Sequence, residues 1–204
     1  MLVRMIRIRP AEPADAPAIA QVRAQTWRTA YAGVIPDETL AGLTAPEAVR
    51  REAQWRAAHP MDGILVAEET AAEDAAAQEA AAGESAAGES AGEIVGFAAF
   101  GPERGEEDRP GQALPGPPDQ DRAELYAVYV LPWHWSSGAG RALMDCALAS
   151  VAEAGYADVS LWVLEGNERG RRFSERAGFA GTGESASLGH VGGVSGVRYR
   201  RLVS

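Results

Sequence analysis

The stretch Glu124 to Arg141, Glu-Leu-Tyr-Ala-Val-Tyr-Val-Leu-Pro-Trp-His-Trp-Ser-Ser-Gly-Ala-Gly-Arg, constrains the fold more than any other part of the chain. Leu125, Val128 and Val130, with Tyr126 and Tyr129, make a β-rich run that Pro132 ends. Past Gly138, Ala139 and Gly140 comes a helix-forming run, Ala-Leu-Met-Asp-Cys-Ala-Leu-Ala-Ser-Val-Ala-Glu. The unit reads as strand, tight loop, helix. The first amides of such a helix have no partner within it and carry the positive end of its dipole, so the loop suits a pyrophosphate. Gly138 and Gly140 let the backbone come close to that anion. Glycine pairs also occur in plain turns, and this loop taken alone leaves both readings open.

A second segment narrows the choice. After another β-rich run lies Asn167-Glu168-Arg169-Gly170-Arg171-Arg172-Phe173-Ser174-Glu175-Arg176-Ala177-Gly178-Phe179. The loop Trp135 to Gly140 and this Asn-x-x-x-x-x-Phe-x-x-x-x-Gly-Phe segment together resemble the GNAT superfamily of N-acetyltransferases, whose signature is Arg or Gln-x-x-Gly-x-Gly or Ala. The resemblance covers most of the chain, from Ile8 to Leu202. It has departures: Trp135 stands where the signature has Arg or Gln, and Ser136 and Ser137 replace the usual glycine and basic residue. Serine amides still bind phosphate, and the hydroxyls add donors.

The resemblance implies acetyl-CoA as co-substrate, no metal, and transfer of the acetyl group to an amine by direct attack in a ternary complex. Its implied acceptor is a small-molecule or protein amine, with neither nucleic acid nor membrane as partner, and a homodimer is allowed. It implies backbone contacts to the pantetheine arm from Val128 and Val130, around Tyr129, and a pyrophosphate site from Trp135, Ser136, Ser137, Gly138, Ala139, Gly140 and Arg141. Glu124, fourteen residues before Gly138, stands at the spacing of the general base in the histone-modifying branch; a solvated strand-end glutamate is the alternative. Ser174 occupies the position after Phe173 where many members carry the tyrosine that protonates the leaving thiolate. Serine is a poor acid, which leaves a water, Tyr126 or Tyr129, or positioning alone. Asn167 is implied as a pantetheine or water partner, against a helix cap. The Trp27-x-x-x-Tyr31-x-Gly-x-Ile-Pro segment resembles the acceptor side of many small acetyltransferases, making Trp27, Tyr31 and Tyr126 acceptor-site candidates; core packing is the other reading for Trp27 and Tyr31. Arg169, Arg171, Arg172 and Arg176 are read as solvated surface ahead of phosphate ligands. A non-catalytic acyl-CoA-binding or sensor module remains the alternative function, kept open by Ser136, Ser137 and Ser174. A dinucleotide-binding oxidoreductase is disfavoured, because Gly-x-Gly-x-x-Gly and its acidic partner are missing.

Composition bounds the rest. A chain of 204 residues makes one domain, here 1–204, with its own core. No apolar run approaches a membrane span, and the amino-terminal segment lacks the apolar stretch of a secretory signal. The single Cys146 fits a reducing cytoplasm and reads as a buried structural thiol. His59, His134 and His190 are isolated, with no metal-ligand spacing. The net charge of -10 argues against anionic ligands only until it is divided along the chain. Residues 68–93 contribute -8 and residues 102–121 contribute -4, so the remainder is +2. The acidic rim of the second stretch would draw cationic acceptors such as polyamines or basic peptides.

The element order follows from periodicity and breakers. Met5 to Arg9 reads as a strand and Asp15 as the cap of a helix to Tyr31; Ala45 to Ala58 reads as a second helix. Gly63 to Glu68 and Ile94 to Gly101 are strands separated by an acidic low-complexity insertion at 69–93. A Pro/Gly-rich loop at 102–121 leads into the organising strand. Then come the helix from Gly138 to Ala154, the strand Asp158 to Leu164, the helix Glu168 to Ala177, and a closing hairpin of Phe179 to Leu188 with Val197 to Val203. The expected fold class is α+β, a mixed, mostly antiparallel sheet of about seven strands flanked by about four helices.

Overall fold

The computed structural model describes residues 4–71, 92–104 and 122–203. Seven strands form a single sheet: β1 (Arg4–Pro10), β2 (Ile64–Ala71), β3 (Glu93–Pro102), β4 (Arg122–Val130), β5 (Asp158–Leu164), β6 (Ala180–Leu188) and β7 (Val194–Leu202). Their spatial order is β1-β2-β3-β4-β5-β7-β6. Every adjacent pair is antiparallel except β4 with β5. The expected α+β class and strand count are present. Five α-helices accompany them among the described residues: α1 (Ala16–Ala30), α2 (Asp37–Leu43), α3 (Pro46–Ala57), α4 (Ala139–Glu153) and α5 (Glu168–Arg176). The helix beyond the expected four is α2, a single short element seated by Leu40 on the Trp27, Tyr31 and Ile35 cluster.

Central strands read as continuous apolar runs because helices cover them. Phe97 and Ala98 of β3 are fully buried, and α1 and α4 both pack on β3 and β4. Helix α4 puts Leu143, Met144, Ala147, Leu148 and Val151 into the core at helical spacing. Each large apolar side chain so buried contributes roughly 1.5–3 kcal/mol. Gly155, at φ +88°, takes the left-handed position that ends α4. Cys146 lies on the flank of the α4 stripe and is half-buried, rather than the buried thiol expected. No helix among the described residues is long and apolar enough to cross a membrane.

Three local expectations are corrected. Glu69 to Ala71 belong to β2, not to the insertion, because cross-strand charge holds them there: Arg4 pairs with Glu69, and Arg9 Nε donates to Glu68 at 3.2 Å. Residues 72–91 of that insertion, and 105–121 of the Pro/Gly-rich loop, lie outside the described residues, while Pro102 closes β3 opposite Ala123. Asp15 precedes α1, but its side chain caps nothing in that helix. It accepts instead from the Glu12 amide at 2.8 Å and from two nitrogens of Arg9 at 2.7 and 3.0 Å.

Two irregularities shape the middle of the sheet. Ala99 pairs with Ala127 and Phe100 with Leu125, so β4 carries an extra residue, Tyr126, as a bulge. The parallel pairing of β4 with β5 runs only from Arg122–Asp158 to Leu125–Leu161. Beyond it the two strands no longer pair with each other, β4 staying on β3 and β5 on β7, and the sheet opens into a notch.

Candidate functional site

The notch holds a cavity of about 90 Å³. Glu124, one residue before the last pair of β4 with β5, lines the cavity and is 1% exposed. Its burial removes the solvated strand-end alternative. Arg104, also lining the cavity, donates from Nη2 to Glu124 Oε1 at 2.7 Å and from its backbone amide to Oε2 at 3.1 Å. A buried carboxylate requires such donors. Both oxygens are engaged, so one bond must give way before the carboxylate can take a proton from a ligand.

The three acceptor-site candidates from the sequence, Trp27, Tyr31 and Tyr126, all line this cavity. Trp27 and Tyr31 project from the last turn of α1 with ring centroids 5.3 Å apart in an edge arrangement. They belong at the same time to a small core cluster with Ile35 and Leu40, so packing and cavity lining are one role. Tyr126 is turned by the bulge; its hydroxyl donates to the Pro102 carbonyl at 2.5 Å, and the Arg104 guanidinium sits 4.1 Å from its ring centroid. Tyr129, expected among the cofactor contacts, also lines the cavity, with its ring edge-on to Trp27 and Phe97. Burial first, then the neighbouring Tyr129 phenol, push the Tyr31 hydroxyl well above its ordinary value.

Sequence reasoning missed Arg104, Trp162, Leu164, Leu188 and Val191, which complete the wall. Trp162 and Leu164 stand at a period of two on β5, on the part of that strand that has left β4. A tryptophan within the β-rich run Val159 to Leu164 was the available signal. Nothing local marks Leu188, Val191 or Arg104.

The loop after β4 has the geometry of an anion cradle. Gly138, at φ +96°, is the N-cap of α4 and supplies no capping side chain. Ser137 Oγ accepts only the Ala139 amide, at 3.3 Å, and no side chain among the described residues caps the amides of Gly140 and Arg141. Ser136 adopts φ +68°, the left-handed conformation that glycine takes without strain. Arg141 is exposed and paired with Asp145 at 2.7 Å. Trp135 is not a phosphate donor here: its indole Nε1 donates to the Val130 carbonyl at 2.8 Å, and Arg169 stacks 4.1 Å from its ring centroid. Arg169 is exposed, as read from the sequence, with its guanidinium over that ring.

The Leu131 amide donates to Val95 of β3, so by antiparallel alternation Val130 and Val128 turn their backbone groups to the open side of the notch. The Val130 carbonyl is already occupied there, by Trp135 and by Thr26 Oγ1 at 3.0 Å. Val128 presents the open backbone edge.

The second motif lies apart from the cavity. Asn167 caps α5, its Oδ1 accepting the Gly170 amide at 3.0 Å. Phe173 packs toward the loop, with its ring edge 3.6 Å from where a Cβ on Gly140 would stand. That is ordinary contact, and alanine would fit at Gly140. Ser174 is 3% exposed and donates from Oγ to the Gly170 carbonyl one turn back, at 3.1 Å. It does not line the cavity. Among the described residues no group of three His, Cys, Asp or Glu side chains is placed to hold a metal ion.

Comparison with known proteins converges. A family model described as the acetyltransferase (GNAT) family matches residues 48–179. An uncharacterized N-acetyltransferase of Bacillus subtilis is 29% identical over 163 residues, covering 80% of this chain and 74% of that one. A protein of Mycobacterium tuberculosis named as a probable N-acetyltransferase is 26% identical over 190 residues, 93% of this chain and 88% of its own. Among solved structures, the PaiA N-acetyltransferase of Thermoplasma acidophilum in complex with coenzyme A superposes with a TM-score of 0.58 at 17% identity, covering 97% of this chain and 99% of that chain. A Salmonella typhimurium protein solved with its cofactor acetyl-CoA gives 0.61 at 19% identity, covering 98% and 94%. These two share the fold.

Proposed function

The chain belongs to the acetyltransferase (GNAT) family, and from that premise we propose that it moves an acetyl group from acetyl-CoA onto the nitrogen of an amine bound in the notch between β4 and β5. One observation carries the reading. A buried carboxylate lines a cavity between two parted strands, and the loop after one of them leads to a helix start whose Gly140 and Arg141 amides no side chain among the described residues caps.

These residues fit the cofactor. Gly140 and Arg141 amides, with the Ser136 and Ser137 hydroxyls, suit the pyrophosphate, and the Val128 edge suits an amide-bearing arm. Bound acetyl-CoA supplies the activated acyl carbon and a thiol leaving group. Glu124 takes the proton from the incoming ammonium, one of its oxygens exchanging the Arg104 amide or guanidinium for the substrate N–H. The cavity walls exclude water and hold the amine in line. Ser174 cannot serve the departing sulfur, because its hydroxyl points back into α5. Tyr129 lines the cavity and is the phenol that holds a proton for that sulfur.

Titrating the protein with acetyl-CoA tests the cofactor half. Binding at about 100 times Kd stabilises by about 2.7 kcal/mol, a readily measured rise in Tm. No heat and no thermal shift at millimolar acetyl-CoA would remove the reading. Thiol release across a broad amine panel tests the chemistry, and binding without any release would leave an acyl-CoA-binding module.

A further inference from the structure

The acetyl-transfer reading, on which this inference rests, makes Glu124 the base. It is 1% exposed, and a carboxylate taken that far from water stays charged only where a cation or N–H donors meet it. Arg104 brings both. Its backbone amide donates to Glu124 Oε2 at 3.1 Å, and its Nη2 donates to Oε1 at 2.7 Å. The two contacts differ in how firmly they are held. Glu103, the residue before, fixes the amide: its own N–H donates to the Arg122 carbonyl at 2.9 Å, and its carboxylate pairs with Arg198 of β7. The guanidinium lies along the Tyr126 ring, 4.1 Å from the centroid, and the side chain is 37% exposed, so water can take the place of Oε1 as its partner.

The charged neighbours of this pair have carboxylates of their own. Arg122, two residues back on the same face of β4, lies 3.7 Å from Asp158. Arg198 reaches Ser160, the β5 partner of Glu124, at 3.4 Å, and is held by Glu103 and by Glu184, the latter at 2.9 Å. Tyr126, Tyr129 and Tyr31 bring phenols to the same cavity, the Tyr31 hydroxyl kept neutral by burial first and by Tyr129 next. An acceptor arriving as an ammonium carries the same single positive charge as the guanidinium. Both together on Glu124 would leave a net positive charge in a small space shielded from water, whereas exchange of one for the other keeps the site balanced. The guanidinium is the partner that can leave.

We propose that Arg104 is a positioning residue whose guanidinium is the exchangeable counter-ion of the base: it holds Glu124 ionised while the cavity is empty and gives up Oε1 to the incoming ammonium. Oε1 then takes the ammonium proton, leaving a neutral amine and a neutral carboxyl group, while Oε2 keeps its bond from the Arg104 amide. The released guanidinium remains over the Tyr126 ring and turns its N–H groups to water. Without that guanidinium, burial favours the protonated acid, and the base is ready only at higher pH.

Carbon NMR of the free protein labelled with ¹³C at the glutamate carboxyl tests this without any acceptor. The Glu124 signal is the one missing from Glu124→Gln, and its shift against pH gives the midpoint at which the carboxylate is protonated. Arg104→Met should raise that midpoint by about one pH unit or more, the effect of removing an opposite charge at this distance, and Arg104→Lys should restore most of it. Arg104→Gln, polar but uncharged, should raise it as well, and serves if the Met variant does not fold. A midpoint that stays in place when the charge is removed would overturn the proposal and leave acetyl transfer standing. Thiol release with the best amine of the panel gives a second readout. The acid limb of kcat/KM against pH should move up with the NMR midpoint, so Arg104→Met is roughly 10-fold slower below the limb and close to the parent above it. A limb that stays put while the whole profile drops would show Arg104 gripping the acceptor itself, and would overturn the proposal. Failure of the acetyl-transfer reading shows separately, as no heat with acetyl-CoA, whatever the Glu124 midpoint.

Discussion

Replacing Glu124 with Gln separates chemistry from scaffolding at this site. Gln keeps the shape and one acceptor oxygen, but its NH₂ must face one of the two Arg104 donors that now lie at 2.7 and 3.1 Å. Losing a hydrogen bond to a charged group costs about 1.5–3 kcal/mol. The Arg104 side chain is 37% exposed and can turn toward water, so the lower part of that range applies. Domains are stable by about 5–15 kcal/mol, so the variant stays folded and a urea melt will show it. Turnover should fall by roughly 100-fold or more at neutral pH, the scale of a lost general base. The deficit should shrink as pH rises. An α-amine titrating near about 8 goes from about one tenth deprotonated at pH 7 to about nine tenths at pH 9, so the variant regains about 10-fold over that interval. Stabilisation by acetyl-CoA should hardly change. A folded Glu124→Gln protein with full activity at pH 7 would refute the assignment. A loss that is flat in pH would show that Glu124 positions the amine without accepting its proton.

Tyr129→Phe should lower kcat by roughly 10- to 100-fold with little change in the KM for acetyl-CoA, whereas Ser174→Ala should stay within about 3-fold of the parent, because that hydroxyl is spent on the Gly170 carbonyl; steady-state kinetics on the pair reverse the assignment if the serine variant is the slow one. Ser136→Gly should relieve the left-handed strain at φ +68° and stabilise by about 0.5–1 kcal/mol, raising Tm by roughly 1–4 °C, unless the hydroxyl is needed for phosphate, in which case acetyl-CoA affinity falls. Asp15 tests the electrostatics far from the cavity. Burial alone would raise its carboxyl, but the Arg9 hydrogen bonds, the Glu12 amide and the Arg9 charge together hold it below its ordinary value. A depressed carboxyl contributes stability that is present above its unfolded value and lost as pH falls through its folded value. Asp15→Asn should therefore be less stable by roughly 2 kcal/mol at pH 7, with the difference closing below about pH 4, in urea melts at the two pH values.

The strand-loop-helix unit was readable in the chain because its causes are local. Alternating apolar residues, Pro132 and a run of helix formers need no distant contact to act, and β4, α4, β5 and α5 appear within a residue or two of where those signals place them. The same holds for Asn167, whose reach to the Gly170 amide is a matter of three residues. Only tertiary structure could decide what surrounds Glu124. Arg104 comes from just past the end of β3, Trp27 and Tyr31 from the end of α1, Trp162 from β5, and Leu188 and Val191 from the end of β6 and the turn after it. It also decided against Ser174: a hydroxyl on a helix can turn out to a substrate or back to the carbonyl one turn earlier, and burial at 3% exposure settles it backward. The Trp27 to Pro36 segment could be read for its residues but not for their place in the cavity wall, because which side chains share that wall is decided only once every neighbour is in place.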